Sequence, residues 1–335
     1  MRYRLLGRSG LRVSQLFLGA MTFADDFVHG AGRDEARRIV DAYADAGGNV
    51  VDTAINYRDG ASEEIVGEVL AGRRDRFVVA TKYGVTRDGS DPNAAGSHRK
   101  NLRLSLETSL RRLRTDHIDL YYVHLWDHLT PLEETMRALD DAVRDGKVLH
   151  LGISDTPAWV VARANTLAEC RDRTPFVALQ ARYGLLSRDA ERDLLPAAEA
   201  LGMSVAAWSP LGGGVLSGGL LRAGNGTSRI PAGSVSEHDL SVARVVQEVA
   251  DGLGVAPAHV ALAWTTARSR SVHPILGARR LEQLMENLGA LDLVLPDDAL
   301  KRLDDATGFE VGFPHDFIRD MQGFVFGEAG ALVDP

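Results

Sequence analysis

The chain has 335 residues, 45% hydrophobic and 25% charged, with a formal net charge of −8, an ordinary globular make-up whose acidity argues against a general nucleic-acid-binding surface. No apolar run approaches the roughly 18 residues of a membrane span, and the N-terminus, Met1-Arg-Tyr-Arg-Leu-Leu-Gly-Arg8, lacks a signal-peptide core. Cys170 is the single cysteine, which leaves no internal disulfide or cysteine-based metal site and favours the cytoplasm.

The first residues, Tyr3 to Val13, predict a small hairpin turning at Arg8-Ser-Gly10. Eight strand-like runs follow, at 16–20, 49–54, 76–82, 118–124, 148–154, 176–181, 203–208 and 271–277, with helical patterns between them. Thr130-Pro-Leu-Glu133 reads as a capping box with proline at the first helical position, and Asp155-Thr-Pro157 opens the next helix in a similar way. Strands alternating with helices predict a parallel sheet, and eight such units predict an α/β (β/α)₈ TIM barrel, one domain over 1–335. Three connections depart from the repeat: the polar loop 84–97, the glycine-rich loop 211–236, and a C-terminal tail, 309–335, carrying Phe309, Phe313, Phe317, Phe324 and Phe326. Loops this long in a compact domain are usually functional. All three are expected to cover the C-terminal face of the barrel.

That face draws attention because four strands end in polar residues. Val50 and Val51 lead into Asp52, with Tyr57 five residues later in a polar loop. The third run ends in Lys82, the fourth in His124, and the fifth in Ser154 beside Asp155. A lone lysine or histidine at a strand end is usually structural. Four such ends gathered on one face of a parallel barrel are the usual make-up of an active site.

Familiar motifs fail. Gly212 to Gly218 contains no dinucleotide-binding Gly-x-Gly-x-x-Gly, and Gly152-Ile-Ser-Asp-Thr156 is not a nucleophile elbow. His124-Leu-Trp-Asp-His128 has zincin spacing without the glutamate. A metal-dependent barrel hydrolase using Asp52, His124 and His150 is the rival reading, but His150 lies inside a strand and no further ligand presents itself, so no metal is expected. The arginine-rich stretch around Arg111, Arg112 and Arg114 reads as a solvated helix face.

The positive reading starts from tyrosine. Its reference pKa of about 10 is too high for proton exchange at neutral pH, and a neighbouring ammonium lowers it by stabilising the phenolate. Lys82 can supply that ammonium, Asp52 can hold it charged, and His124 can orient a carbonyl oxygen against the Tyr57 hydroxyl. The product is a general acid that protonates an oxygen while a cofactor delivers hydride to its carbon.

At these residues the sequence resembles the aldo-keto reductase superfamily, in the branch of bacterial reductases and potassium-channel β subunits. The matching pieces are Asp52-Thr-Ala with Tyr57 and Ser62-Glu63, Ala80-Thr-Lys-Tyr-Gly84, Asp119 to His124, Gly146-Lys147, Gly152-Ile-Ser154, Gln180 with Tyr183, Trp208-Ser209-Pro210-Leu211-Gly212, and Gly277-Ala-Arg279 with Gln283 and Asn287. The resemblance implies that Asp52, Tyr57, Lys82 and His124 form a catalytic tetrad. It implies nicotinamide contacts at Ser154, Asp155 and Gln180, with the Trp208 ring packing nearby, and a cofactor site continued by Ser209, Pro210, Leu211, Gly212, Gly277, Arg279, Gln283 and Asn287. The substrate it implies is a small-molecule aldehyde or ketone.

Two positions depart from the family pattern. Asp155 stands where asparagine is common, and a carboxylate accepts from a carboxamide NH₂ but cannot donate to its oxygen. The lysine often found near Gly219 is missing. Arg279 at the start of a helical stretch nonetheless suits a phosphate, through its planar fork and the free amides of a helix N-terminus. Glu282 and Glu286 weigh against it. The expected cofactor is NADPH/NADP+. Because channel β subunits resemble reductases, the alternative is a cofactor-binding sensor or interaction protein with little turnover. Phe23, Phe27, Trp126 and the tail phenylalanines are the expected pocket walls.

Overall fold

The structure, a computed structural model, describes residues 1–25, 30–221 and 232–332. Phe27, part of the 211–236 loop and the end of the tail lie outside the described residues. The chain opens with the expected hairpin, β1 (Tyr3–Leu5) and β2 (Arg12–Ser14), paired antiparallel. Eight parallel strands then close into a barrel: β3 (Phe17–Gly19), β4 (Val50–Asp52), β5 (Val78–Tyr83), β6 (Ile118–Val123), β7 (Val148–Ser154), β8 (Phe176–Arg182), β9 (Ser204–Trp208) and β10 (Val272–Gly277), with β10 returning to β3. Each falls on one of the eight runs expected from the sequence.

Around them lie α1 (Arg33–Asp45), α2 (Ala61–Val69), α3 (Arg99–Leu113), α4 (Leu132–Arg144), α5 (Ala158–Cys170), α6 (Leu194–Ala200), α7 (Glu237–Leu253), α8 (Pro257–Ala267), α9 (Leu281–Leu288) and α10 (Asp297–Thr307), followed in the tail by α11 (His315–Asp320) and α12 (Gln322–Phe326). Among the described residues no helix is long and apolar enough to cross a membrane.

The period-2 pleat sorts each strand into two sets. Val51, Val79, Tyr121, Ile153 and Leu179 face the helices, while Val50, Val78, Ala80, Leu120, Tyr122 and Ala178 fill the barrel with Leu6 and Val13 of the hairpin segment. The hairpin therefore plugs the end of the barrel opposite the C-terminal face. Tyr122 reaches across the interior because Gly152 lies opposite, where a Cβ would stand 2.3 Å from its ring. Continuing the same inward phase to the strand ends puts Asp52, Lys82, His124, Ser154 and Gln180 on one side of the barrel mouth.

Neither expected helix cap forms. Thr130 donates its hydroxyl to Asp127 at 2.5 Å, Glu133 takes Arg163, and α4 starts after Pro131. Asp127 outcompetes the helix end because its carboxylate also collects the amides of Ser97 and Leu129. Asp155 is likewise drawn off, by the Trp208 indole. The described part of the tail does not line the cavity at the mouth. Phe309 sits under the guanidinium groups of Arg188 and Arg192, and beyond it Phe313 and Phe324 are 84% and 89% exposed.

His273 on β10 is a titratable group inside this fold. Its ring stacks on Phe17, Nδ1 donates to the Ser14 carbonyl at 3.1 Å, and burial, then the Arg4 charge, pushes its pKa down from 6.5 to about 4. Between those values the unfolded chain binds a proton that the folded chain refuses, so stability rises with pH across that window. One proton contributes a slope of about 1.4 kcal/mol per pH unit. In denaturant titrations from pH 4 to 6.5, His273→Phe is expected to reduce the slope of stability against pH by about that amount; identical slopes in parent and variant would mean the folded protein accepts the proton.

Candidate active site

Lys82 anchors the mouth. Its side chain has no exposed surface, and each ammonium proton has an acceptor: Asp52 Oδ1 at 2.5 Å, the Thr53 carbonyl at 2.8 Å and the Tyr57 hydroxyl at 3.2 Å. An ammonium has three donors and no acceptor, so all are used. Burial alone would lower the Lys82 pKa, but the Asp52 carboxylate and then Tyr57 outweigh it and hold the pKa above its ordinary value. The second Asp52 oxygen accepts from Gln180 Nε2 at 2.9 Å.

Because Tyr57 accepts from Lys82, its own hydroxyl proton is free to point into the cavity. His124 approaches Tyr57 edge-on, ring centroids 5.8 Å apart, with its amide bonded to the Tyr83 carbonyl. Burial, then the Lys82 charge, pushes the His124 pKa down from 6.5 to about 3. A neutral ring keeps one nitrogen as donor and one as acceptor. The tetrad expected from the sequence is thus brought together at one point.

Tyr57 is carried by an unusual backbone. It opens a 3₁₀ turn, Tyr57–Gly60, in which Arg58, Asp59 and Gly60 all have positive φ, at 52°, 53° and 100°. For Arg58 and Asp59 this costs about 1–2 kcal/mol each. The turn is held from outside the barrel by Arg112, which donates to the Ile55 carbonyl at 2.9 Å and the Asp59 carbonyl at 3.3 Å. Arg112 also reaches Glu63 at 3.4 Å, a fully buried carboxylate on α2 that accepts from Thr81 Oγ1 at 2.7 Å. Arg112 is therefore no part of a solvated face, unlike its exposed neighbours Arg111 and Arg114. Nothing in the local composition separates the three arginines; Gly60 and Gly67 are the only sequence hints, since a Cβ on either would collide with Arg112.

One cavity of about 840 Å³ opens over these groups, a size usual for small-molecule and cofactor sites. Asp52, Tyr57, His124, Ser154, Asp155, Gln180 and Trp208 line one part, and Gly277, Arg279, Gln283 and Asn287 another. Ser209, Pro210 and Leu211 line it as expected, but Gly212 does not. Gly212 turns the chain at φ 57° against Leu186, and Gly213 and Gly214 take the wall instead. Apolar contacts come from Met21, Val85, Leu125 and Ile275, none of them singled out from the sequence. Phe23 is buried in the core, while Trp126 and the described tail phenylalanines lie outside the wall.

The cofactor contacts expected from the sequence meet this geometry unevenly. Ser154 Oγ is buried at the mouth beside the Asp155 carboxyl, which it helps to stabilise. Gln180 is turned to Asp52. Asp155, at φ 42°, accepts from Trp208 Nε1 at 3.0 Å, and burial pushes its carboxyl up against the pull of that indole. Gly277 has open space where a Cβ would stand. The amides starting α9 are less free than expected: Leu281 donates to Glu35 at 2.7 Å, and the Arg279 amide to Gln283 at 3.0 Å. Among the described residues no group of three or more His, Cys, Asp or Glu could hold a metal ion.

The closed parallel barrel thus gathers a buried lysine–aspartate pair, a tyrosine and a neutral histidine at its C-terminal mouth. The model of the aldo/keto reductase family matches residues 15–307. The chain is 40% identical to a norsolorinic acid reductase of Aspergillus flavus over 94% of its length and 84% of that protein's. It is 36% identical to a putative aryl-alcohol dehydrogenase of Saccharomyces cerevisiae, covering 95% and 90%, and 37% identical to an aryl-alcohol dehydrogenase of Pestalotiopsis microspora, covering 95% and 85%. The chain belongs to the aldo/keto reductase family.

The depressed His124 pKa carries a direct expectation. In an NMR titration from about pH 5 to 9 the His124 ring should stay neutral and its shift flat, where an ordinary histidine turns over near 6.5. A midpoint near 6.5 would contradict the charge arrangement described.

Proposed function

We propose that the protein reduces aldehyde and ketone carbonyls with NADPH, with Tyr57 as the general acid. The observation that carries this is the triple commitment of Lys82: with its protons held by Asp52, Thr53 and Tyr57, the phenol is left as a donor toward the cavity. A reduced nicotinamide, when bound, supplies the hydride. The chain supplies the rest. Tyr57 gives its proton to the carbonyl oxygen, neutral His124 steers that oxygen toward the phenol, and the Lys82 ammonium offsets the charge left on the phenol oxygen. Ser154 and Asp155 would hold the carboxamide, with Gln180 joining through Oε1 while its Nε2 stays on Asp52. Trp208 and the glycine-lined segment after β9 would flank the rest of the cofactor.

We infer further that the carbonyl is attached to an aromatic group. Two relatives are named for aryl alcohols, the redox partners of aryl carbonyls, and the cavity beside Tyr57 offers Trp208, Leu125 and Met21. With a panel of aromatic and aliphatic aldehydes, the nicotinamide absorbance band should fall steadily for the aromatic members. Tyr57→Phe should bind NADPH normally and lose about 10²–10⁴-fold in kcat. Near-parental turnover by that variant would remove Tyr57 from the acid role, and no turnover by the parent would favour the alternative of a cofactor-binding sensor.

For cofactor choice, Arg279 is the group suited to a 2′-phosphate, and Glu286 in the same wall opposes it. Charge-assisted hydrogen bonds contribute roughly 1.5–3 kcal/mol, so Arg279→Ala should weaken NADPH by about 10- to 100-fold and leave NADH nearly unchanged. Equal losses for both, or a parent that prefers NADH, would contradict the assignment.

A further inference from the structure

We propose that Arg112 and Glu63 are positioning residues that set the reach of Tyr57, an inference that rests on Tyr57 being the proton donor. Arg112 bonds the chain on both sides of Tyr57, through the carbonyls of Ile55 two residues before it and Asp59 two residues after. Between those points the backbone enters its run of positive φ, which leaves Tyr57 where the phenol meets Lys82 at 3.2 Å. The guanidinium lies flat against Gly60, where a Cβ would stand 2.2 Å from Cζ, so the fit leaves no slack.

Glu63 fixes the guanidinium in turn. It is fully buried, and its carboxylate joins Arg112 on α3 to Thr81 on β5. Thr81 adjoins Lys82 but faces outward. The same strand therefore holds the phenol from inside the barrel and the backbone of its loop from outside. A buried carboxylate and a half-buried guanidinium joined only to support helix packing would have no need to reach the loop carbonyls. Positioning by about 1 Å is enough to change rates by up to about 10²-fold.

The test is a double-variant cycle on kcat, with the cofactor dissociation constant measured alongside. Arg112→Ala should lower kcat by about 10- to 100-fold while leaving NADPH affinity within a few-fold, and added guanidinium should restore much of the loss. In a Tyr57→Phe background the same change should have almost no further effect, because the group being positioned has gone. Should Arg112→Ala fail to fold, Glu63→Gln keeps the buried shape, and the same split and non-additivity are expected of it. Parental kcat in both variants, or a loss that adds in full to that of Tyr57→Phe, would overturn the proposal. A Tyr57→Phe protein with parental turnover would instead overturn the acid reading beneath it, so the two failures are distinguishable.

Discussion

The structure depends on the burial of one ion pair. Lys82 is wholly enclosed and Asp52 nearly so. Removing two charges from water costs several kcal/mol per ion unless every proton and lone pair is met. That requirement dictates the surroundings. β4 has to end at Asp52, Gln180 on β8 has to reach the second carboxylate oxygen, the chain after β4 has to turn the Thr53 carbonyl inward, and the loop beyond has to return Tyr57 to the remaining proton. Each is a hydrogen bond between different strands or a strand and its loop, so the pair organises one side of the barrel mouth.

The pair is neutral overall, and His124 is held neutral by the same ammonium and by burial. On the proposed reading an uncharged carbonyl would meet balanced charge, and the Lys82 ammonium would count only once the phenol had given up its proton. That would be electrostatic preorganisation aimed at charge that develops during reaction. The rest of the cavity is lined by glycine-rich backbone after β9, the Ser154 side chain, and Arg279 beyond β10. There a carboxylate, Glu35, already occupies the first amide of α9, so the proposed phosphate contact would rest chiefly on the arginine side chain.

Much of this was legible in the sequence because the strands are short apolar runs ending in polar residues, and a parallel barrel allows only one place for those ends. Asp52, Lys82, His124 and Ser154 share the inward phase of the pleat, which period-2 counting gives directly. What the sequence hid depends on packing between helices. Arg111, Arg112 and Arg114 look alike as letters, and only the approach of α2 to α3 at Gly67 turns one of them inward. Thr130 had the right partner for a cap but a better acceptor nearby in Asp127. The tail phenylalanines have the composition of a pocket wall, yet α11 and α12 make their main contacts with tail elements rather than the mouth. Gly212, expected among the cofactor contacts, bends the chain while Gly213 and Gly214 line the cavity.

The central claim is that the Lys82 ammonium makes Tyr57 an acid directed at the cavity. Its most direct test is the single-turnover rate of carbonyl reduction by Lys82→Met with saturating NADPH, alongside Asp52→Asn/Lys82→Met, in which no uncompensated charge is left buried. Both should bind cofactor, and the double variant should recover stability that the single one loses. Both should still reduce the carbonyl at least about 10²-fold more slowly than the parent. A double variant that folds, binds NADPH and reduces at the parental rate would contradict the account.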